Sequence, residues 1–136
     1  MRVLKILLIG LFLGGSLITG ESYGAAGSDT TQTVSGGGVT VAITYLNPSS
    51  NESPRFQVAL NTHSVGLDGY DFKTLALLQD GTGKTYSPSK VENKGGGHHR
   101  QVTLTFPKIS SEAKRIEIVI KDIAGVKERT FRWNLK

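Results

Sequence analysis

The chain has 136 residues, a mass of 14.6 kDa and a formal net charge of +5 at pH 7. This length fits one domain with at most a short appendage, which excludes a multidomain enzyme. The sequence contains no cysteine, which excludes disulfide frameworks, thiolate nucleophiles, zinc ribbons, iron–sulfur clusters and cysteine-ligated copper sites. With 38% apolar residues and 17 glycines, the chain can build a packed core whose elements are joined by many turns.

The amino terminus has the pattern of a secretory signal peptide. Arg2 and Lys5 precede an apolar run over residues 6–18, and residues 24–26 are small. We therefore expect residues 1–26 to be cleaved on export, which places the protein in the periplasm or outside the cell. A helix of that apolar run would span only about 20 Å, short of the hydrocarbon core of about 30 Å, so we expect no stable membrane anchor after cleavage.

The segment after the cleavage site is polar and glycine-rich. Residues 27–38 show no apolar periodicity, which predicts a flexible leader before a folded domain over residues 39–136. The β-prone part of this leader, residues 28–34, leaves self-association by strand addition to a neighbouring subunit as an alternative to a plain tether. After cleavage the chain keeps 14 basic and 10 acidic residues, a net charge of +4. The basic residues are scattered, which favours acidic or anionic partners and does not indicate nucleic-acid binding.

Apolar and polar residues alternate with period two through most of the domain, which is the pattern of half-buried strands. Seven strands are predicted, over residues 39–45, 56–60, 75–79, 84–86, 102–106, 116–121 and 131–135. The one helical candidate is a single turn at residues 110–114. This content favours an all-β, seven-stranded antiparallel immunoglobulin-like sandwich of the fibronectin type III arrangement, with a small closed barrel as the alternative. The first, second and fifth strands would then form one sheet and the other four strands the second sheet.

That topology places three connections at one end of the sandwich, namely residues 61–72, 87–99 and 122–127. All three histidines of the chain fall in two of them. End loops on a rigid scaffold commonly carry function. The candidate binding surface consists of His63, Asp68, Tyr70, Asp71, His98, His99 and Arg100.

The same histidines are candidates for a metal site. Imidazoles and a carboxylate can hold Cu(II) or Zn(II) without sulfur. His63, just beyond the second predicted strand, should lie beside His98 and His99 at the start of the fifth. The glycines at residues 95–97 would let both neighbouring imidazoles turn to one centre. The alternatives are ordinary loop hydrogen bonds with no cofactor, and an anion or glycan site built from His98, His99 and Arg100.

The residues that could suggest catalysis are poorly arranged for it. His63 and Ser64 beside Asp68 supply the residue types of a serine triad, but they are crowded on one loop without a nucleophile elbow. The segment from Asp68 to Asp71 lacks the further acidic ligands of a calcium loop. We therefore expect a non-catalytic binding or interaction module of the cell envelope with a protein or polymer partner. A histidine-based carrier or sensor of copper or zinc is the alternative.

Several segments resemble a group of uncharacterised bacterial envelope proteins that carry an immunoglobulin-like domain. The segments are NTHSV at residues 61–65, GHHR at 97–100, TLTFP at 103–107, GVKER at 125–129 and FRW at 131–133. The resemblance implies an exported all-β domain in a bacterial cell. It brings no activity, substrate or cofactor with it.

Overall fold

A computed structural model describes residues 30–135, so the predicted signal peptide and its cleavage site lie outside the described residues. Within this range the chain forms nine strands and one short helix. The strands are β1 (Thr31–Gly36), β2 (Val39–Tyr45), β3 (Arg55–Thr62), β4 (Ala76–Asp80), β5 (Thr85–Tyr86), β6 (Lys90–Gly96), β7 (His99–Thr105), β8 (Arg115–Ile123) and β9 (Val126–Asn134), and the helix is α1 (Phe72–Leu75).

The strands form two antiparallel sheets. The five-stranded sheet has the order β1-β2-β3-β7-β6, and the four-stranded sheet has the order β5-β4-β8-β9. The prediction of an all-β protein with two antiparallel sheets is confirmed, and each of the seven predicted strands lies in its predicted sheet. The described residues contain nine strands, however, and not the seven of the fibronectin type III arrangement. The two additional strands, β1 and β6, lie at the two edges of the five-stranded sheet.

Strand β1 occupies residues that the sequence assigns to a flexible leader. It pairs with β2 along its whole length, so this segment is part of the sheet within its own chain. Gly37 and Gly38 join the two strands with φ angles of 62° and 79°, as the two central residues of a type I′ hairpin turn require. The Gln32 side chain also bonds the other sheet: its Oε1 accepts from the Arg132 backbone N–H at 2.9 Å, and its amide nitrogen donates to the Arg132 carbonyl.

The helix is not where the sequence predicts it. Asp71 caps α1, since its carboxylate accepts from the Lys73 backbone N–H at 3.0 Å. Residues 110–114 form an irregular connection instead. The Ala113 N–H donates to the Ser110 carbonyl at 3.2 Å in a single turn, and the Lys114 carbonyl accepts from the Leu135 N–H at 2.8 Å, which continues the β8–β9 pairing. None of the helical structure within residues 30–135 is long and apolar enough to cross a membrane.

The core lies between the two sheets, where the inward rows of both meet. Phe56 of the five-stranded sheet has its ring centroid 4.5 Å from that of Tyr45 and 5.2 Å from that of Trp133 on the four-stranded sheet. Phe106 closes the cluster, 5.9 Å from Phe56 in an edge-on orientation. These side chains are buried, so the sheets pack face to face as a sandwich and their apolar rows supply most of the stability.

A buried carboxylate organises the turn between β4 and β5. Asp80 is 5% exposed and accepts hydrogen bonds from the hydroxyl and backbone N–H of Thr82, from the Lys84 N–H and from the Tyr86 hydroxyl. The bond from the Thr82 hydroxyl is the largest cause that lowers the pKa of Asp80 below its ordinary value, although burial opposes the shift. Because the pKa is lower in the folded state, this stabilisation is complete above the ordinary value and is lost as the pH falls through the lowered one.

The facing of β8 and β9 predicts unequal effects of truncation. Ile118→Ala and Trp133→Ala should each lower the free energy of unfolding by about 2–5 kcal/mol, because both side chains are buried in the core. Thr130→Ala, at an exposed position of β9, should change it by only about 0.5 kcal/mol. Denaturant unfolding of the three variants measures these values. Equal losses in all three would show that the two strands face differently.

Candidate functional site

Four connections meet at one end of the sandwich, which we call the histidine end. They are the β1–β2 turn at residues 37–38, the β3–α1 loop at 63–71, the β6–β7 turn at 97–98 and the β8–β9 turn at 124–125. The Gly97 N–H donates to the Asp68 carboxylate at 3.1 Å, and the Ala124 N–H donates to the Tyr70 hydroxyl at 3.0 Å. The β3–α1 loop is therefore bonded to a turn of each sheet.

Arg100 lies beneath the β3–α1 loop and is only 7% exposed. Its Nη1 donates to the carbonyl oxygens of Leu67 at 2.7 Å and Tyr70 at 2.8 Å, and its Nη2 donates to Asn93 Oδ1 at 2.6 Å. The guanidinium lies 5.2 Å from the ring centroid of Phe72, which is cation–π geometry. The prediction that Arg100 belongs to an exposed binding surface is wrong, because its side chain points inward and holds the loop from below.

Arg129 is buried at the same end and is 2% exposed. Its Nη1 donates to the Ile123 carbonyl at 2.9 Å, and its Nη2 donates to the Gly36 carbonyl at 2.6 Å. Within residues 30–135 it forms no ion pair, and its Nε has no hydrogen-bond partner. Burial lowers the pKa of the guanidinium, but an arginine in a protein stays charged. Backbone carbonyl groups of two hairpins therefore hold this cation.

The β1–β2 and β8–β9 turns are in direct contact above Arg129. A Cβ atom at Gly37 would lie 2.2 Å from the Ala124 carbonyl oxygen, so only glycine allows this approach. The Thr62 hydroxyl donates to the Gly38 carbonyl at 2.7 Å and connects the same turn to the end of β3. The turns are fixed relative to one another as well as to the core.

Three other predicted site residues support the loops. Tyr70 is half-buried, and its hydroxyl accepts from the β8–β9 turn. Asp71 is the N-cap of α1. Asp68 is exposed, and one of its carboxylate oxygens already accepts from the β6–β7 turn. Each has a structural partner, and Asp68 and Asp71 are also exposed to solvent.

The three histidines are exposed at this end. His99 in β7 lies opposite Asn61 in β3, and its Nδ1 is 2.7 Å from Asn61 Oδ1. Because an amide oxygen only accepts, Nδ1 carries the proton and Nε2 has the free lone pair in the neutral ring. His98 lies in the β6–β7 turn, where its carbonyl accepts from the Thr62 N–H at 3.0 Å. His63 follows β3 directly.

In the part of the chain that the structure describes, no three histidine, aspartate or glutamate side chains form a group that could hold a metal ion. The predicted ligands His63, His98 and His99 share the histidine end but are not assembled into such a group. Any metal bound there would need its ligands to be completed by side-chain rotation or by solvent.

Two concavities lie away from the histidine end. One, of about 440 Å³, is at the opposite end between the β2–β3 and β7–β8 connections and includes Glu52 and Lys108. Burial raises the pKa of Tyr45 at its inner side. The other, of about 310 Å³, lies beside Asp80 and Arg115. None of the predicted site residues lines either concavity.

We did not predict from the sequence that Arg100 and Arg129 are buried and bind backbone carbonyl groups. The alternation of residues along their strands does indicate that both side chains point inward. Arg129 is in phase with Phe131 and Trp133, and Arg100 is in phase with Val102. Residues in phase on a strand share one face of the sheet. Both arginines therefore continue inward rows of the core at the histidine end.

The chain matches no protein-family model, no curated protein and no solved structure. Its function is therefore argued from the residues and contacts described above.

The buried position of Arg129 predicts a loss of stability on substitution. Arg129→Met keeps the length of the side chain but leaves the Gly36 and Ile123 carbonyl groups without their donors, so the free energy of unfolding should fall by about 1–3 kcal/mol. The control is Arg132→Met on the same strand, which breaks an ion pair with Glu117 in which the arginine side chain is 61% exposed, and it should cost at most about 1 kcal/mol. Denaturant unfolding compares them, and an equal or larger loss for Arg132→Met would contradict the role of Arg129.

Proposed function

We propose that this protein is a non-catalytic binding module of the cell envelope whose contact surface is the histidine end. The observation that carries the proposal is the pair of Arg100 hydrogen bonds to the Leu67 and Tyr70 carbonyls, which fix the β3–α1 loop from inside. A loop that is ordered before binding loses little conformational freedom when a partner binds. The fixed loop presents His63 and Asp68 to solvent beside His98.

The proposed partner is a protein or polymer of the envelope. The net charge of +4 after the expected cleavage favours an acidic partner, and the scattered basic residues do not favour nucleic acid. The signal-peptide pattern supports export to the periplasm or the outside of the cell. An immunoglobulin-like fold is part of this proposal, and the observed grouping of β2, β3 and β7 in one sheet agrees with it.

Saturable binding to cell envelopes tests this function. Labelled exported protein should bind isolated envelopes of the producing cell in the presence of a metal chelator. The double change His63→Ala with His98→Ala should raise the dissociation constant at least about tenfold, which corresponds to about 1.4 kcal/mol. The matched control, Asn51→Ala with Ser111→Ala, changes two exposed residues at the opposite end and should bind as the wild type does. Absence of saturable binding, or equal weakening by both double changes, would refute the proposal.

A second candidate function is binding of copper or zinc by the same histidines, and the His99–Asn61 contact favours it. A ligating histidine commonly donates its other ring N–H to an oxygen acceptor, which fixes the tautomer and the ring orientation. Asn61 Oδ1 has this position relative to His99. His63 and His98 supply further exposed imidazoles at the same end.

Calorimetric titration with Cu(II) or Zn(II) tests the second candidate. Protons compete with the metal for the imidazole nitrogens, so the affinity should be higher near pH 7.5 than near pH 5.5. His98→Ala with His99→Ala should abolish stoichiometric binding, and Asn61→Ala should weaken it about 10- to 100-fold. Gln57→Ala, on the same strand as Asn61, is the control and should leave the affinity unchanged. Lack of saturable binding near pH 7.5 would eliminate the metal candidate.

A further inference from the structure

Tyr45 is a buried tyrosine whose hydroxyl group has no hydrogen-bond partner within residues 30–135, and burial alone raises its pKa. The side chain is 4% exposed, and its ring is stacked on Phe56 with a centroid distance of 4.5 Å. The hydroxyl of a buried tyrosine usually bonds a partner. Tyr86 shows the usual arrangement, since its hydroxyl donates to Asp80 at 3.1 Å. The Tyr45 hydroxyl therefore lacks the partner that its burial requires.

Tyr45 lines the concavity of about 440 Å³ at the end opposite the histidine end, which we call the tyrosine pocket. This volume lies within the range of about 300–1,000 Å³ that small-ligand sites occupy. The ring of Tyr45 packs against Phe56 and Trp133 in the core, so the tip of the side chain is the part that can reach the pocket. A ligand in the tyrosine pocket could supply the missing hydrogen bond.

The inner lining of the tyrosine pocket is apolar. Pro54 and Ala113 are buried, and Ile109 and Leu135 are half-buried against the core. An apolar group that covers these side chains removes more apolar surface from water, which is favourable. The inner part of the pocket thus fits an apolar side chain beside one hydrogen-bonding group.

Two opposite charges line the outer part of the tyrosine pocket. Glu52 belongs to the β2–β3 connection and Lys108 to the β7–β8 connection. Both are exposed, and within the described part of the chain neither forms an ion pair, with the other or with a third residue. A ligand that carries both an ammonium and a carboxylate group would find a countercharge on each wall.

The two walls are ordered by hydrogen bonds of their own. Asn47 Nδ2 donates to the Ser53 carbonyl at 3.0 Å, and Asn47 Oδ1 accepts from the Arg55 N–H at 2.8 Å. The Phe106 N–H donates to the Pro54 carbonyl at 3.0 Å and so joins the β2–β3 connection to the β7–β8 connection. Because the walls are held before a ligand binds, little conformational freedom remains to be lost on binding.

We propose that the tyrosine pocket binds a short peptide with free termini and an apolar side chain. The apolar side chain covers the inner lining, the Tyr45 hydroxyl bonds a peptide group, and the ammonium and carboxylate ends meet Glu52 and Lys108. A purely apolar ligand would leave the hydroxyl unpaired, and a polyanion would be repelled by Glu52. The pocket lies at the other end from the histidine end, and the proposal does not rest on the function proposed there.

Calorimetric titration of the exported protein with the tripeptide alanyl-leucyl-alanine tests this proposal. The free tripeptide should bind saturably, with one site per chain. Alanyl-glycyl-alanine lacks the apolar side chain and should bind at least about tenfold more weakly. Acetylation of the amino end and amidation of the carboxyl end each remove one charge, and each should weaken binding about two- to fivefold, as the loss of an exposed ion pair does.

Tyr45→Phe separates a hydroxyl that binds a ligand from one that stabilises the fold. The change removes only the oxygen atom, so the melting temperature should stay the same or rise, while the affinity for the tripeptide should fall about two- to twelvefold. The matched control is Tyr86→Phe, which removes a hydroxyl bonded to Asp80. It should lower the melting temperature and leave the affinity unchanged.

Two further variants assign the ends of the peptide. Lys108→Met should weaken binding of the free tripeptide but not of its amidated form, and Glu52→Gln should weaken binding of the free tripeptide but not of its acetylated form. Lys127→Met, at an exposed position near the histidine end, is the charge control and should bind as the wild type does. Absence of saturable binding, or full affinity in Tyr45→Phe, would overturn the proposal. So would equal affinity for the leucine and glycine peptides, or for the free and the doubly capped peptide.

Discussion

The structure depends on hydrogen-bond donors for the buried backbone carbonyl groups at the histidine end, where four connections lie against the core. Backbone carbonyls removed from water need donors, and strand pairing supplies none to a loop. Arg100 supplies them to the loop carbonyls of Leu67 and Tyr70. Arg129 does the same for the carbonyls of Gly36 and Ile123, the last residues of β1 and β8. Burial of an arginine without a carboxylate carries a desolvation cost. Hydrogen bonds to charged groups, worth about 1.5–3 kcal/mol each, offset that cost.

This arrangement also explains the mutual fit of the hairpins. Arg129 bonds the Gly36 carbonyl on one sheet and the Ile123 carbonyl on the other, so it joins the β1–β2 and β8–β9 hairpins as a disulfide might in a cysteine-containing domain. The close approach of Gly37 to Ala124 follows from this connection. The additional strand β1 is therefore fixed at one end by a buried arginine and along its length by β2. Its contacts with β9 through Gln32 close one side of the gap between the sheets.

The sequence allowed prediction of the strands that bury an apolar row, because burial of one face imposes a period of two on residues such as those of β2 and β8. It did not allow prediction of β1 and β6, because their side chains are exposed or only partly buried and form no buried apolar row. The pair Gly37-Gly38 is a hairpin signal, but without apolar alternation on its amino-terminal side the preceding segment has the composition of a leader. The order of the strands was enough to predict which loops lie at the same end. The inward direction of Arg100 could be predicted only by extending the alternation of β7 back from Val102. Because arginine side chains are usually exposed, we did not expect Arg100 to continue a buried row.

The two outer faces of the sandwich differ in the side chains that they present to solvent. Solubility requires charged side chains, and those of the four-stranded sheet, including the Arg132–Glu117 pair, supply them. The outer face of the five-stranded sheet carries hydroxyl and amide side chains at its centre, and its charged side chains lie nearer its borders, on Arg55 of β3 and on Lys90, Glu92 and Lys94 of β6. An edge strand with lysines and glycines also resists pairing with another sheet. The charged and glycine residues of β6 thus protect this edge of the five-stranded sheet against pairing with another sheet.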